Sequence, residues 1–283
     1  MESPTYSQPQ RRGRGPVVLL PLLLAIVFAM FKYLSAPTAV DAETGKTLRG
    51  ALTDQQGDAL GLQTFQEVLR TERVLPGGPA VDQVIRVAKR LIEVVRTFEP
   101  NFDWKVSVVE SPQANAFCLP GGKIVVYTGI LPITKSDDGL AVVMGHEIAH
   151  AILRHGSQRM LKTEVFNTIL QGASASIALG EMNPDQQRAV MGALGAGAKF
   201  GILMPFSRDH ETQADERGLL YAARAGYNPR EAVAFWERMS AAGSGQPPEF
   251  MSTHPSHGSR IAHLQEIMPK ALAEYDAALS GRR

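Results

Sequence analysis

The sequence predicts an α+β fold, mainly helical, with a small sheet and one apolar helix ahead of the folded part. Three observations predict it. Residues 79–98, "PAVDQVIRVAKRLIEVVRTF", place Val81, Val84, Ile85, Ala88, Leu91, Ile92 and Val95 at helical spacing. Residues 103–131 carry alternating and β-branched runs broken by Pro-Gly-Gly, the pattern of short strands. From Ser136 onward the patterning is helical throughout. The chain has 283 residues, 44% of them hydrophobic, enough for one large domain or two small ones.

The elements follow in order. Residues 1–15 are polar, with Arg11, Arg12 and Arg14 close together, and read as a cytoplasmic tail. Pro16 to Phe31 carries no charge. With Lys32 able to snorkel and Tyr33 and Leu34 beyond it, the segment 16–34 approaches the roughly 20 residues of a transmembrane helix. The basic residues before it put the remainder of the chain across the membrane. A cleaved signal peptide is the alternative, although "SAPTAVDA" (35–42) offers a poor cleavage site. No cysteine follows the apolar run to take a lipid, and the Arg pair lacks a twin-arginine context. Residues 35–60 lack periodicity and read as a tether to a domain over 61–275. Pro79 suits the first position of the 79–98 helix, and Pro100 stands just past its end. "DWKVSVVE" (103–110) alternates as a half-buried strand, and "NAFCLPGGKIVVYTGIL" (115–131) reads as strand, turn, strand. Ser136, Asp137 and Asp138 supply the cap and acidic first turn of the next helix. Residues 165–206, rich in Ala, Gly and Met, read as helices packed over the domain. Gly226 ends one helix, and Asn228 and Pro229 open another.

Composition excludes several classes. Lys plus Arg is 29 and Asp plus Glu is 28, so no global field draws nucleic acid. The single cysteine, Cys118, excludes an internal disulfide and a thiolate zinc knuckle.

The chemistry lies in "VVMGHEIAHAILRH" (142–155). His146 and His150, four residues apart, leave one helix face together, and two neutral imidazoles so placed suit Zn²⁺. Glu147 beside them can take a proton from water. The segment is almost wholly apolar, so its buried polar groups need a partner, and a metal supplies one. A third ligand should come from another element. In "SRDHETQADERGLLYAARAGYNP" (207–229), Glu211 and Asp215 share a helix face. Glu211 can ligate, and Asp215 can fix a histidine's tautomer from behind. His210 points about 100° away around the helix and is discounted as a ligand.

These pieces, with "STHPSHGSRI" near the end, occur in the order of zinc metallopeptidase family forty-eight, which the sequence resembles over most of residues 50–270. The family includes the prenyl-protein protease, the bacterial heat-shock membrane protease and the mitochondrial Oma-type protease, and the likeness is to its periplasmic and Oma-like branch, often single-anchored. The resemblance implies a zincin-like domain with a sheet beside the cleft and one zinc ion held by His146, His150 and Glu211. It implies Glu147 as general base and acid, Asp215 as supporting carboxylate, and Asn115 and Ala116 on a strand that an extended substrate can join. His254 and Arg260 match positions near the metal. His254 could stabilise the developing oxyanion, swing onto zinc and close the site, or merely cap the final helix. His155, His257 and His263 read as surface histidines. Cys118 stands where the family more usually has alanine. The implied activity is hydrolysis of internal peptide bonds in proteins, with misfolded or unassembled envelope proteins as the substrates. A tethered chaperone or assembly factor is the alternative. The implied setting is a single-pass protein of the bacterial inner membrane with its domain in the periplasm.

Overall fold

A computed structural model describes residues 20–99, 101–179, 206–242, 248–254 and 258–281. The expected tail at 1–15, the start of the apolar segment, Pro100, residues 180–205, Pro255 and His257 lie outside them. The chain forms two compact units, Ala36–Leu161 with Met204–Arg283, and Met1–Ser35 with Lys162–Leu203.

The larger unit is mainly helical around a three-stranded sheet. Helix α3 (Pro79–Val95) starts at the expected proline and buries Val84, Val87, Ala88, Leu91 and Val95. It stops three residues early, because Phe98 N–H turns back to the Val95 carbonyl and the Thr97 hydroxyl to that of Val94. Strands β3 (Lys105–Val109), β4 (Ala116–Leu119) and β5 (Lys123–Tyr127) form a sheet in the order β3-β5-β4. β3 runs parallel to β5, and β4 pairs antiparallel with β5, Ala116 opposite Val126. β4 is therefore an edge strand. The Pro-Gly-Gly turn is as expected, with Gly121 and Gly122 at φ of 72° and 81°, where side chains are disfavoured. The second strand of this pair ends at Tyr127 rather than Leu131. Thr128–Ile130 tighten into a 3₁₀ turn, and Leu131–Thr134 form the short helix α4, with Pro132 in its first turn.

Helix α5 (Asp137–Ile152) is the centre of the unit: every residue from Gly139 to Ile152 is buried. Its cap is the expected one, with the Ser136 hydroxyl accepting from Gly139 N–H. Around it pack α3, α7 (Arg208–Arg224) and α8 (Glu231–Ala242). Asn228 and Pro229 make the lead-in turn to α8, which begins two residues later than expected. Helices α6 (His155–Leu179), α9 (Glu249–Thr253) and α10 (Gly258–Ser280) complete the order.

The stretch expected as a tether is structured. β1 (Thr38–Val40) and β2 (Thr47–Arg49) form an antiparallel hairpin, and α2 (Asp54–Thr71) begins with a reciprocal cap between Thr53 and Gln56. Three-residue strands are too short to show a period in sequence. Charges fasten the hairpin: Asp41 and Glu43 pair with Arg217 of α7, and Glu43 also with Arg224, which reaches Glu274 of α10 at 2.9 Å. Burial would raise the Asp41 carboxyl, but hydrogen bonds from Thr44 and Arg217 outweigh it and hold the group below its usual range. Its contribution is then complete above the unfolded value of about 3.9 and is lost as pH falls through the lower native value. Asp41→Asn should cost about 1.5–3 kcal/mol near neutral pH. In urea unfolding, the gap to wild type should close in acid; a gap independent of pH would exclude the charge as its source.

In the smaller unit, α1 (Leu20–Ser35) lies along the distal part of α6. Leu22 N–H donates to Ser176 Oγ at 3.0 Å, and Lys32 pairs with Glu164 at 2.7 Å. A Cβ on Gly172 would stand 2.1 Å from that of Ala25 and 2.9 Å from the Pro21 carbonyl oxygen, so the glycine lets the two helices approach closely. α1 leaves Leu20, Leu24, Val27, Phe28, Phe31 and Leu34 exposed. Among the described residues, no helix is long and apolar enough to cross a membrane.

Candidate metal centre

Two glycines set the site. α5 and α7 cross at Gly145 and Gly218, where a Cβ on Gly145 would meet the Gly218 carbonyl at 2.6 Å and one on Gly218 would meet His146 N at 2.5 Å. That approach brings Glu211, in the first turn of α7, to the histidines of α5. His146 Nε2 and His150 Nε2 are 3.0 Å apart, and each lies 3.5 Å from a Glu211 carboxylate oxygen. His254, just past α9, joins them: its Nδ1 is 3.2 Å from His146 Nε2 and 3.0 Å from Glu211 Oε1. One donor atom from each of the four lies within 4.8 Å of all the others, and all four residues are buried.

The donor set fits a zinc ion. A tetrahedral centre with bonds of about 2.0–2.1 Å separates its ligand atoms by about 3.4 Å, close to the spacings here. The charges agree. Glu147, Glu211 and Asp215 are three buried carboxylates against one buried guanidinium, Arg260, an excess of acidic groups that favours a bound cation. Glu147 Oε1, though buried, accepts no well-formed hydrogen bond.

Behind the donors stands a second layer. Asp215 Oδ1 is 3.0 Å from His146 Nδ1. Arg260 holds Asp215 with two hydrogen bonds, 2.5 Å from Nε and 2.7 Å from Nη2. It also places Nη1 2.7 Å from Glu211 Oε2 and lies 3.7 Å over the Trp236 ring. Its guanidinium is thus committed behind the ligands and does not line the cleft.

The cleft is a cavity of about 270 Å³, with Asn115, Ala116 and Cys118 on the sheet side and Glu147, His254 and Phe206 across from them. Asn115 and Ala116 thus stand where an edge strand could receive an extended chain. Glu147 Oε1 is 3.4 Å from His254 Nε2. Cys118 is not among the donors; burial first, and Glu147 second, push its thiol up and keep it neutral.

The sequence model of peptidase family M48 matches residues 81–268. The chain belongs to peptidase family M48. It is 40% identical over 213 residues to the mitochondrial metalloendopeptidase OMA1 of Schizosaccharomyces pombe, covering 73% of this chain and 59% of the relative. The human OMA1 metalloendopeptidase is 36% identical over 177 residues, 60% of this chain and 33% of the relative. The beta-barrel assembly-enhancing protease of Escherichia coli K12 is 30% identical over 234 residues, 81% of this chain and 46% of the relative. The chain spans less than two thirds of the length of each.

Family M48 is zinc-dependent, and the buried groups of this site shift one another's protonation strongly. Burial would raise Glu211, but hydrogen bonds from His146, His150 and His254 drive it far below the usual carboxylate range. Burial and Arg260 depress His146, yet Asp215 and Glu211 bring it up to about 9. Burial lowers His150 and raises Glu147, the latter only partly offset by His254 and His146. One M48 residue here contradicts its sequence reading: His155 is not a surface histidine but fully buried. Its Nδ1 lies 3.0 Å from His150 Nδ1, and burial pushes it down to about 3. His210, discounted as a ligand from its angle on the helix, stacks on His155 at 4.2 Å. The signal for both was "RH" and "DH" beside apolar or ligand-bearing runs, which spacing alone does not assign. His263 is partly exposed, 3.8 Å from Glu266.

Proposed function

We propose that the chain is a zinc-dependent endopeptidase that hydrolyses internal peptide bonds of proteins, with His146, His150 and Glu211 as zinc ligands. One observation carries this: Glu147, on the ligand-bearing helix, lines a cleft whose opposite wall is an edge strand. An extended segment can add to β4 beyond Asn115 and Ala116 through main-chain hydrogen bonds. A bound zinc ion supplies an electrophile and makes water acidic enough to ionise near pH 7. Glu147 takes the water's proton and delivers it to the leaving amine; its burial-raised carboxyl suits both transfers. Asp215, held by Arg260, keeps the His146 proton on Nδ1, so that Nε2 has its lone pair free toward the centre of the donor group. Digestion of casein by the full chain, abolished by a chelator and restored by zinc, tests the reading; chelator-insensitive cleavage would refute it.

The apolar face of α1 and the basic residues before it support attachment to a membrane, as a single pass through the bacterial inner membrane with the domain in the periplasm. A domain freed by cleavage would be periplasmic. Misfolded or unassembled envelope proteins are the proposed substrates, supported by similarity to the beta-barrel assembly-enhancing protease.

His254 favours a second reading. As fourth donor it gives the centre the closed ligand set of a non-catalytic site, as a tethered chaperone or assembly factor would have. We take it as a gate over a catalytic centre, since it also approaches Glu147. His254→Ala should then weaken zinc binding yet raise casein cleavage several-fold. A lower rate with tight zinc would make His254 an oxyanion group, and no cleavage in either form would favour the chaperone.

A further inference from the structure

We propose that His155 is a positioning residue that fixes the ligating tautomer of His150 and ties it to the helix bearing Glu211. The proposal rests on the zinc reading above. Three residues in succession carry it. His150 turns Nε2 to the donor group and Nδ1 away from it, 3.0 Å from His155 Nδ1. His155 Nε2 in turn lies 3.4 Å from Gln213 Oε1, on α7 two residues past Glu211.

The direction of the hydrogen bonds follows. A ligating Nε2 must offer its lone pair, so neutral His150 carries its proton on Nδ1. Two Nδ1 atoms at 3.0 Å cannot both carry protons, so His155 Nδ1 accepts. Its own proton then sits on Nε2 and is donated to the Gln213 amide oxygen. His210, stacked at 4.2 Å with the ring planes 13° apart, holds the His155 ring at the angle this needs. The two ligating histidines thus have different supports: a carboxylate behind His146, and a neutral imidazole and amide behind His150.

Zinc affinity of the full chain, read by competition with a chromogenic chelator, tests this without reference to peptidase activity. His155→Phe, which keeps a ring but accepts nothing, should weaken zinc binding about 10–100-fold. His155→Asn places an amide oxygen near the Nδ1 position and should recover most of the loss. Gln213→Leu, which leaves the His155 Nε2–H without its acceptor, should weaken zinc by a smaller factor and serves if the Phe variant does not fold. Wild-type affinity in both His155→Phe and Gln213→Leu, or an Asn variant as weak as the Phe variant, would overturn the assignment. A wild-type protein without stoichiometric zinc would instead overturn the proposed function.

Discussion

Glu147→Gln leaves zinc bound at one ion per chain and lowers the rate of casein cleavage by about 10²–10⁴-fold. The amide matches the carboxylate in size, so α5, buried from Gly139 to Ile152, has no reason to repack. Glu147 is outside the four-residue donor group, so the metal keeps its ligands. What the amide cannot do is accept the water's proton. Metal analysis beside the rate assay separates the outcomes: unchanged cleavage removes Glu147 from the chemistry, and lost zinc makes it part of the binding set.

Gly218→Ala should unfold the larger unit more easily and cost it the metal. The added methyl would meet His146 N at 2.5 Å and Gly145 C at 2.7 Å, both backbone atoms of the ligand-bearing helix. Neither can move without shifting His146. Overpacking of this kind costs about 1–3 kcal/mol. Alanine's higher helix propensity returns at most about 1 kcal/mol, so the clash wins. Gly156→Ala is the control. It too is helical, but nothing lies within 4 Å of its added methyl, so no clash arises and the variant should be no less stable than wild type. Urea unfolding and zinc content check both. A Gly218→Ala protein as stable as Gly156→Ala, with full zinc, would mean that the crossing yields and does not set the site.

Reading outward from these residues shows which parts of the molecule were legible in advance. The four-residue spacing of His146 and His150 is a property of one helix, as is the Ser136 cap. The Pro-Gly-Gly turn is local too. Each is encoded in fewer than a dozen consecutive residues, where period and capping chemistry operate. The β1–β2 hairpin escaped because its strands are too short to show alternation, although the Thr53 and Gln56 cap of α2 stood in plain sequence.

By itself, then, the sequence determined the helix that carries two imidazoles and a carboxylate, the order of the other motifs, and the family to which they belong. Only the tertiary structure decided that His254 lies among the donors, that Arg260 grips Asp215 from behind, and that His155 backs His150. The reason is physical. A side chain's angle on its own helix follows from a repeat of 3.6 residues, but its partner on another helix follows from where the two backbones cross. Here that crossing depends on the absence of side chains at Gly145 and Gly218; a glycine at 218 hints at a close contact, but no local pattern names the backbone it meets.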